Sequence, residues 1–447
     1  MTSVMWFRRD LRLNDHAALA RAAEAGPVLG LFVIDPHLWD RAGAVRRVCL
    51  LRSLDALNES MDGQLVVRVG SPTQVVPAVA KEVGTSTVFI SRDFAPYGQR
   101  RDAAVERALM DNQVALESVG SPYAVNPGVV RKSDGTPYQV FTPFYRAWCE
   151  SGWLAPVANS NPSWLSLVSD PWPTAELPAG VTLPAIGEEA SLDLWRTFHT
   201  DLIDEYPDHR DRPDLAGTSS LSMALRWGQV HPRTLLAELN DSRAHDVYRR
   251  ELCWREFYAD VLFHVPQSAQ HSLKPTMQGM RTDSGTSADA RFAAWAEGRT
   301  GYPFVDAGMR QLLAEGWIHN RVRMVVASFL VKDLHLDWQR GAAHFMQWLR
   351  DGDIASNQHG WQWAAGTGTD AAPYFRVFNP VMQGIKFDPE GDYVRKYIPE
   401  LAQLAGASAH EPWQAPLLAG DYPERIVDHS LERHEALARL AELKADQ

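Results

Sequence analysis

The hydrophobic period of this chain changes part-way along it, and that change limits the architecture more than any other feature. Up to about residue 120, short continuous apolar runs at 4–7, 28–34, 65–69 and 87–90 alternate with stretches of helical period. A run that is apolar at every position has both faces covered, the condition of a parallel strand between two helix layers. Strands alternating with helices predict βαβ units and a doubly wound sheet. The helical stretch opening at Ser71-Pro72 and closing at Gly84 has an N-capping hydroxyl, a proline in its first turn and a glycine just past its end. No glycine-rich dinucleotide fingerprint follows the first strand; Arg8-Arg9-Asp10-Leu11-Arg12 stands there instead. From about Ser191 the period is helical, as at 231–239, 248–264, 306–314, 321–330 and in a charged terminal stretch at 432–447. The predicted fold is an α/β domain with a doubly wound parallel sheet over 1–130, an interdomain linker over 131–190 and an all-α domain over 191–447. The central part of the linker, 151–184, is rich in Pro, Ser and Ala and has no clear period.

Composition narrows the class. The three cysteines, Cys49, Cys149 and Cys253, are odd in number and far apart, so they predict neither a disulfide framework nor a metal site, and a reducing cytoplasm fits best. The N-terminus turns charged at Arg8 too soon for a signal peptide, and no stretch is long and apolar enough to span a bilayer. A net charge of -11 argues against a uniformly basic nucleic-acid binder, so any such function needs a local basic patch on an acidic body. The 16 tryptophans suit either stacking on flat ligands or a large helical core.

Four segments carry groups suited to chemistry. Gly217-Thr218-Ser219-Ser220-Leu221-Ser222 sets hydroxyls and backbone amides before a helical run, as either a phosphate cradle or an N-capping cluster. On a helix, Glu251, Trp254, Arg255 and Tyr258 share one face. They either hold a planar base or amount to an i,i+4 ion pair, Glu251 with Arg255, beside a core tryptophan. Asn320, Arg323 and Met324 also share helical spacing; an amide can read a base edge, and a guanidinium can pair with a phosphate or an acid. The adjacent His319 reads as a hydrogen-bonded core histidine. Asp351-Gly352-Asp353-Ile354-Ala355-Ser356-Asn357 forms either a turn aimed at a ligand or a polar turn before a helix, and it lacks the alternating oxygen ligands of a calcium loop.

Together with Gly366-Thr367-Gly368-Thr369-Asp370-Ala371-Ala372-Pro373-Tyr374-Phe375-Arg376-Val377-Phe378-Asn379-Pro380, these segments resemble the photolyase/cryptochrome family, most closely its class I cyclobutane pyrimidine dimer branch. The resemblance runs from Trp6-Phe7-Arg8-Arg9-Asp10 to about Glu400. It implies a helical domain that holds FAD in a bent form. Tyr206, Thr218, Ser219, Ser220, Leu221 and Ser222 match the phosphate-binding residues. Arg323 and Asp351 match the ion pair beside the flavin ring; Gly352 and Asp353 lie near the flavin, and Asn357 matches the residue facing its N5. Glu251 matches the acid that hydrogen-bonds flipped-out bases, and Trp254 and Trp363 match the walls of the lesion slot. Arg255 and Tyr258 join that helix face, Arg255 on the flavin side as well. Asn320 and Met324 match the dimer-repair branch, whereas the (6-4) branch would carry histidines at both. Arg321, Arg323, Arg376, Gln383 and Lys386 are candidates for a phosphate-binding rim.

The activity implied is light-driven electron transfer from reduced FAD to a dimer flipped out of UV-damaged DNA, by a monomer with no bound metal. A photoreceptor without repair activity, or a non-repairing DNA-binding flavoprotein, are the alternatives. Trp361 and Trp338 match the inner two members of a photoreduction chain, but the outer one is missing from 281–290. Trp295 is close by in sequence but matches a different family position. Photoreduction is predicted to be slow or to leave through another aromatic. Tyr248 stands where some relatives carry tryptophan. In the N-terminal domain, Pro96-Tyr97-Gly98-Gln99-Arg100-Arg101-Asp102 and Arg47 resemble the branch whose antenna is 8-hydroxy-5-deazaflavin; methenyltetrahydrofolate, or no antenna, are the other options.

Overall fold

The computed structural model describes residues 2–369 and 375–445. Five parallel strands, β1 (Ser3–Phe7), β2 (Val28–Ile34), β3 (Val66–Val69), β4 (Thr87–Ile90) and β5 (Ala115–Ser118), lie in the order β3-β2-β1-β4-β5. The continuous apolar runs have the predicted cause. Val4 and Trp6 of β1 pack into one helix-covered core, and Met5 and Phe7 pack into the other. β5 was not visible as an apolar run because it is an edge strand with partly exposed Leu116 and Glu117. The helix Pro72–Val83 starts after Ser71 and ends at Gly84, which takes a left-handed φ of 70° as the sequence requires.

Strand order reverses beside β1, and the crevice beyond its carboxyl end is where doubly wound sheets commonly bind ligands. Here Arg8-Arg9-Asp10-Leu11-Arg12 fills it. Arg8 pairs with Asp102 at 2.8 Å, Leu11 N–H donates to the Trp227 carbonyl at 3.2 Å, and Arg12 donates to the Gly228 carbonyl at 3.0 Å. Arg9 reaches Asp353 of the helical domain. The switch point has become the seam between the two halves.

Residues 131–190 wrap around both halves. The short strand β6 (Trp164–Leu165) pairs with the start of β2. The helix Phe141–Ser151 packs against the long helix Arg243–His264, with Phe144 against Phe257 at 5.1 Å between ring centroids. Glu256 on the long helix is fully used, accepting from Trp148 Nε1 at 2.7 Å and from Val125 N–H at 3.0 Å. After residue 190 the described chain is helical. Its main core gathers Trp295, Tyr302, Phe329, Trp361 and Tyr393 among the helices Thr286–Ala296, Pro303–Glu315, Asn320–Lys332, Trp338–Trp348 and Ile354–Ala365. The terminal helix is His429–Ala445. No described helix is long and apolar enough to cross a membrane.

Candidate functional site

A cavity of about 510 Å³ opens in the helical half, within the size range of cofactor sites. Tyr206 and the loop residues Thr218, Ser219, Ser220, Leu221 and Ser222 all line it. Ser220 has φ = 54°, a left-handed conformation that costs a non-glycine residue on the order of 1 kcal/mol. The loop is held from two sides. The Tyr248 hydroxyl donates to Ser219 Oγ at 3.0 Å, and Trp317 Nε1 donates to Ser222 Oγ at 3.2 Å. Tyr248 is itself buried and stacked on Trp195 at 5.5 Å. Its hydroxyl therefore has a task that a tryptophan at 248 could not perform in the same way. Replacing Tyr248 by phenylalanine should cost about 1 kcal/mol of loop order, roughly a fivefold loss of flavin affinity. A fluorescence titration of the apoprotein with FAD measures this, and unchanged affinity would remove the hydroxyl from the site.

Arg323, Asp351, Gly352, Asp353 and Asn357 line the same cavity. Arg323 donates Nη2–H to Asp351 Oδ2 at 2.8 Å and Nε–H to the Ile318 carbonyl at 2.7 Å. Burial pushes the Asp351 carboxyl upward, but Arg323, Ser222 and Arg350 together outweigh it and hold the group below its ordinary value. Asp351 Oδ1 is buried without a hydrogen-bond partner, so it can accept from a bound ligand. Asn357 donates both amide hydrogens internally, to the Ala342 carbonyl at 3.1 Å and to Gln358 Oε1 at 2.8 Å. Gln358 is oriented in turn by donating to the Ala269 carbonyl at 2.7 Å. The group Asn357 has left for a ligand is its oxygen, an acceptor. Asp353 caps the helix Ile354–Ala365, accepting from Ala355 and Ser356 N–H at 3.0 and 3.1 Å.

Glu251, Trp254, Arg255 and Tyr258 line the cavity from the long helix, as one face of a helix requires. The i,i+4 pair does not form. Glu251 bonds Arg210 at 2.7 Å instead, while Arg255 donates to the carbonyls of Pro122 at 2.9 Å and Leu225 at 3.1 Å. Arg255 is thus a tether between backbone segments at the cavity wall. Burial raises the Glu251 carboxyl, and Arg210 opposes the rise. Trp254 stands half-buried with Phe141 stacked on its far side, at 3.7 Å and 6°. Asn320, Arg321, Met324, Trp361 and Trp363 complete the wall, with Arg321 paired to Asp211 at 2.8 Å. His319 is a buried helix cap accepting from Arg321 N–H, and burial takes its pKa down to about 4.

Of the predicted flavin, lesion, rim and electron-chain residues, Trp338, Gln383, Arg376 and Lys386 are not on this wall, and nor is Arg47. Trp338 faces a second cavity. Gln383 lies on the helix Pro380–Phe387, its Oε1 buried and unpaired. Arg47 donates to the carbonyls of Trp39 and Asp40 at 2.9 and 3.0 Å, closing its own loop. Of the signature 366–380, Asp370-Ala371-Ala372-Pro373-Tyr374 lie outside the described residues. Sequence reading missed Arg9, Arg210, Arg226 and Phe141. Arg226 lines the cavity and donates to the Gly352 carbonyl at 2.8 Å. Burial and the charge of Arg9 both disfavour its cationic form, with Asp353 opposing. An anionic ligand in the cavity would relieve that. The unpaired Asp351 oxygen, the free Asn357 oxygen, the hydroxyl loop and Arg226 together fit a flavin dinucleotide. Among the described residues no group of three or more potential metal ligands occurs.

Residues 3–163 match the family model described as DNA photolyase, and residues 248–442 match the FAD binding domain of DNA photolyase. The deoxyribodipyrimidine photo-lyase of Escherichia coli K12 is 38% identical, covering 98% of each chain. The chain belongs to the photolyase/cryptochrome family. A bacterial class III photolyase from Agrobacterium tumefaciens superposes with a TM-score of 0.89 at 35% identity, covering 99% of this chain and 98% of that one. A cryptochrome from Synechocystis superposes with a TM-score of 0.88 at 27% identity, covering 98% of each chain. Membership makes this an FAD-dependent enzyme of light-driven DNA repair in general terms, and the cavity is where its residues fit the flavin.

Proposed function

We propose that this photolyase splits cyclobutane pyrimidine dimers in UV-damaged DNA, acting as a monomer on a dimer flipped out of the duplex. The observation that carries this reading is the joining of both predicted sets in one cavity: the flavin set with Arg323, Asp351 and Asn357, and the lesion set with Glu251, Trp254, Asn320, Met324 and Trp363. When bound and reduced, FAD supplies the light-driven electron that opens the cyclobutane ring and then returns. The chain does the rest. Trp254, braced by Phe141, and Trp363 offer aromatic faces to unstacked bases, each worth about 1–3 kcal/mol in stacking. Glu251 offers a carboxyl to the base edges. Asn357 holds an acceptor oxygen still, and Asp351 keeps a negative charge against Arg323 in a water-poor site. A dimer is already poorly stacked, so extruding it is cheaper than extruding a normal base.

Light-dependent loss of dimers from irradiated DNA by the chemically reduced protein tests the proposal directly. Repair should occur in blue light and not in the dark. Glu251→Gln should weaken binding of dimer-containing DNA by roughly 10- to 100-fold, the value of a hydrogen bond to a charged group. No repair by the reduced wild-type protein would favour the photoreceptor reading, to which the cryptochrome-like fold is equally suited.

For the antenna we propose 8-hydroxy-5-deazaflavin in preference to methenyltetrahydrofolate. The support is at Gly98, where even a Cβ would lie 2.1 Å from the Asp93 carboxylate, leaving no room for the acidic side chain of folate-using relatives. Extraction and spectral identification of the chromophores decides between deazaflavin, folate and none.

A further inference from the structure

We propose that Asp211 sets the selectivity of this site for damaged DNA: its carboxylate keeps Arg321 closed to phosphate until a dimer has entered the slot. This rests on the dimer-binding reading above and adds a specificity-determining residue to it. Arg210 and Asp211 are consecutive, just past the short helix Tyr206–His209, and they bond two different helices of the cavity wall. Arg210 pairs with Glu251 of the long helix at 2.7 Å. Asp211 pairs with Arg321 of the helix Asn320–Lys332, accepting from Nη2–H at 2.8 Å and from Nε–H at 3.3 Å. One short segment therefore holds both the acid that would meet the lesion and an arginine that would meet the DNA backbone.

Both oxygens of the Asp211 carboxylate meet neighbouring N–H groups of the guanidinium, the fork that a phosphate would also use. Arg321 is held ready for it. Its guanidinium lies 4.5 Å over the Phe387 ring, and its backbone N–H is donated to His319 at 3.2 Å. Arg323, the next arginine on the same helix, offers no such exchange. The side chain of its partner Asp351 is 3% exposed, so parting them strands a charge in the interior. The Asp211 side chain is 33% exposed and passes into water when released. Asp211 thus fills a phosphate site with an anion that is cheap to displace.

Cheap displacement alone would let any DNA open the pair, and the second ion pair prevents this. The base of the segment is seated on the hydroxyl loop: a Cβ on Gly217 would stand 2.6 Å from His209 Cβ and 2.9 Å from the His209 carbonyl oxygen. What a ligand can exchange is the pair of contacts beyond that seat. Asp211 moves off with its chain neighbour Arg210, and Arg210 is held by Glu251. Undamaged DNA presents its backbone, and its stacked bases do not reach Glu251. A flipped-out dimer does reach it, and the base edges replace Arg210 as donors. Both pairs then part together, and Arg321 closes on a phosphate. Selectivity arises from a cost imposed on the wrong ligand as well as from contacts to the right one.

Fluorescence anisotropy in the dark on the FAD-loaded protein tests this, with a DNA duplex and the same duplex bearing one thymine dimer, across a KCl series. Asp211→Asn should bind the undamaged duplex roughly fivefold more tightly, about the worth of one solvent-facing ion pair. The slope of log affinity against log salt should steepen by about 0.9, one further phosphate contact. The dimer duplex should gain less and keep its slope, because Arg321 already grips a phosphate there, so the ratio of the two affinities falls. In an Arg321→Gln background both changes on undamaged DNA should vanish, since no guanidinium is left to unmask. Asp211→Ser also lacks the carboxylate and should behave alike; it decides alone if Asp211→Asn does not hold flavin. An unchanged or weaker affinity for the undamaged duplex would overturn the proposal. So would a gain that survives in the Arg321→Gln background, which would be a general effect of the lost negative charge. Preference of the wild-type protein for the dimer duplex reports separately on the underlying reading, because the unmasking of Arg321 is read on undamaged DNA.

Discussion

Arg323→Leu should abolish flavin retention and destabilise the protein by about 3–5 kcal/mol, the usual consequence of stripping one partner from a buried ion pair. The Asp351 side chain is only 3% exposed and leans on Arg323 at 2.8 Å. Without the guanidinium, burial is left to act alone on that carboxyl, which would then be held neutral or reach for water. Either outcome removes the fixed negative charge and opens the wall where the flavin fits. The same guanidinium also ties down the Ile318 carbonyl at 2.7 Å, so the turn leading into the helix Asn320–Lys332 loosens with it. Arg323→Lys separates the two effects, since a lysine can keep the charge but cannot serve both acceptors in a fixed fork. The ratio of flavin to protein absorbance after purification, together with the urea midpoint, gives the answer. Full flavin content with an unchanged midpoint in Arg323→Leu would mean that the pair is not what holds the ring.

The second large effect is expected at the seam. Asp353 has two duties at once: it caps the helix Ile354–Ala365 with one oxygen and pairs with Arg9 through the other. Asp353→Ala removes a cap worth about 1 kcal/mol and leaves a buried arginine uncompensated, for a total of roughly 4 kcal/mol. Asp353→Asn keeps an oxygen for the cap and loses only the charge, so the difference between the two variants measures the cap. The pairing also sets a pH dependence. Burial raises the Asp353 carboxyl, but Arg9, Arg226 and Arg255 outweigh it, and the group is held far below the usual carboxylate range. With the folded value below the unfolded one, the unfolded chain binds the proton first as pH falls. The stabilisation is complete above the unfolded value of about 4 and declines as pH drops from there. Urea midpoints measured across the acid range should fall less steeply for Asp353→Asn than for the wild-type protein. Parallel curves would show that the seam does not depend on this charge.

Much of the fold was legible because its signals are local. The strand at 28–34 carries no polar side chain, and the strand at 87–90 only Thr87 at its start, since helices cover both faces, and that pattern needs no knowledge of the neighbours. The edge strand Ala115–Ser118 escaped for the converse reason: one side of it meets no partner strand, so nothing demands an apolar run. The long helix begins at Arg243, five positions before its apolar period shows at Tyr248, because its first turns are polar and its start is set by the Ser242 cap.

The candidate site divides along the same line. Helical spacing alone puts Glu251, Trp254, Arg255 and Tyr258 on one face, and the motif resemblance alone supplies the flavin and lesion residues. Partners are another matter. Glu251 and Arg255 satisfy the spacing rule for an ion pair, yet Glu251 binds Arg210 and Arg255 binds two carbonyls. Phe141 stacks behind Trp254 from a segment that carries no catalytic motif. Arg9 finds Asp353 across 344 positions of chain. Periodicity and capping are written residue by residue, because they come from the geometry of one helix or strand. Which side chain meets which depends on how those elements pack, and a charge or ring brought close by packing outcompetes the neighbour that sequence spacing offers. By itself the sequence determined the two-part architecture, the family and the set of side chains available to the cavity. Only the tertiary structure decided how those side chains are paired, and that the crevice after β1 became a seam rather than a second nucleotide site.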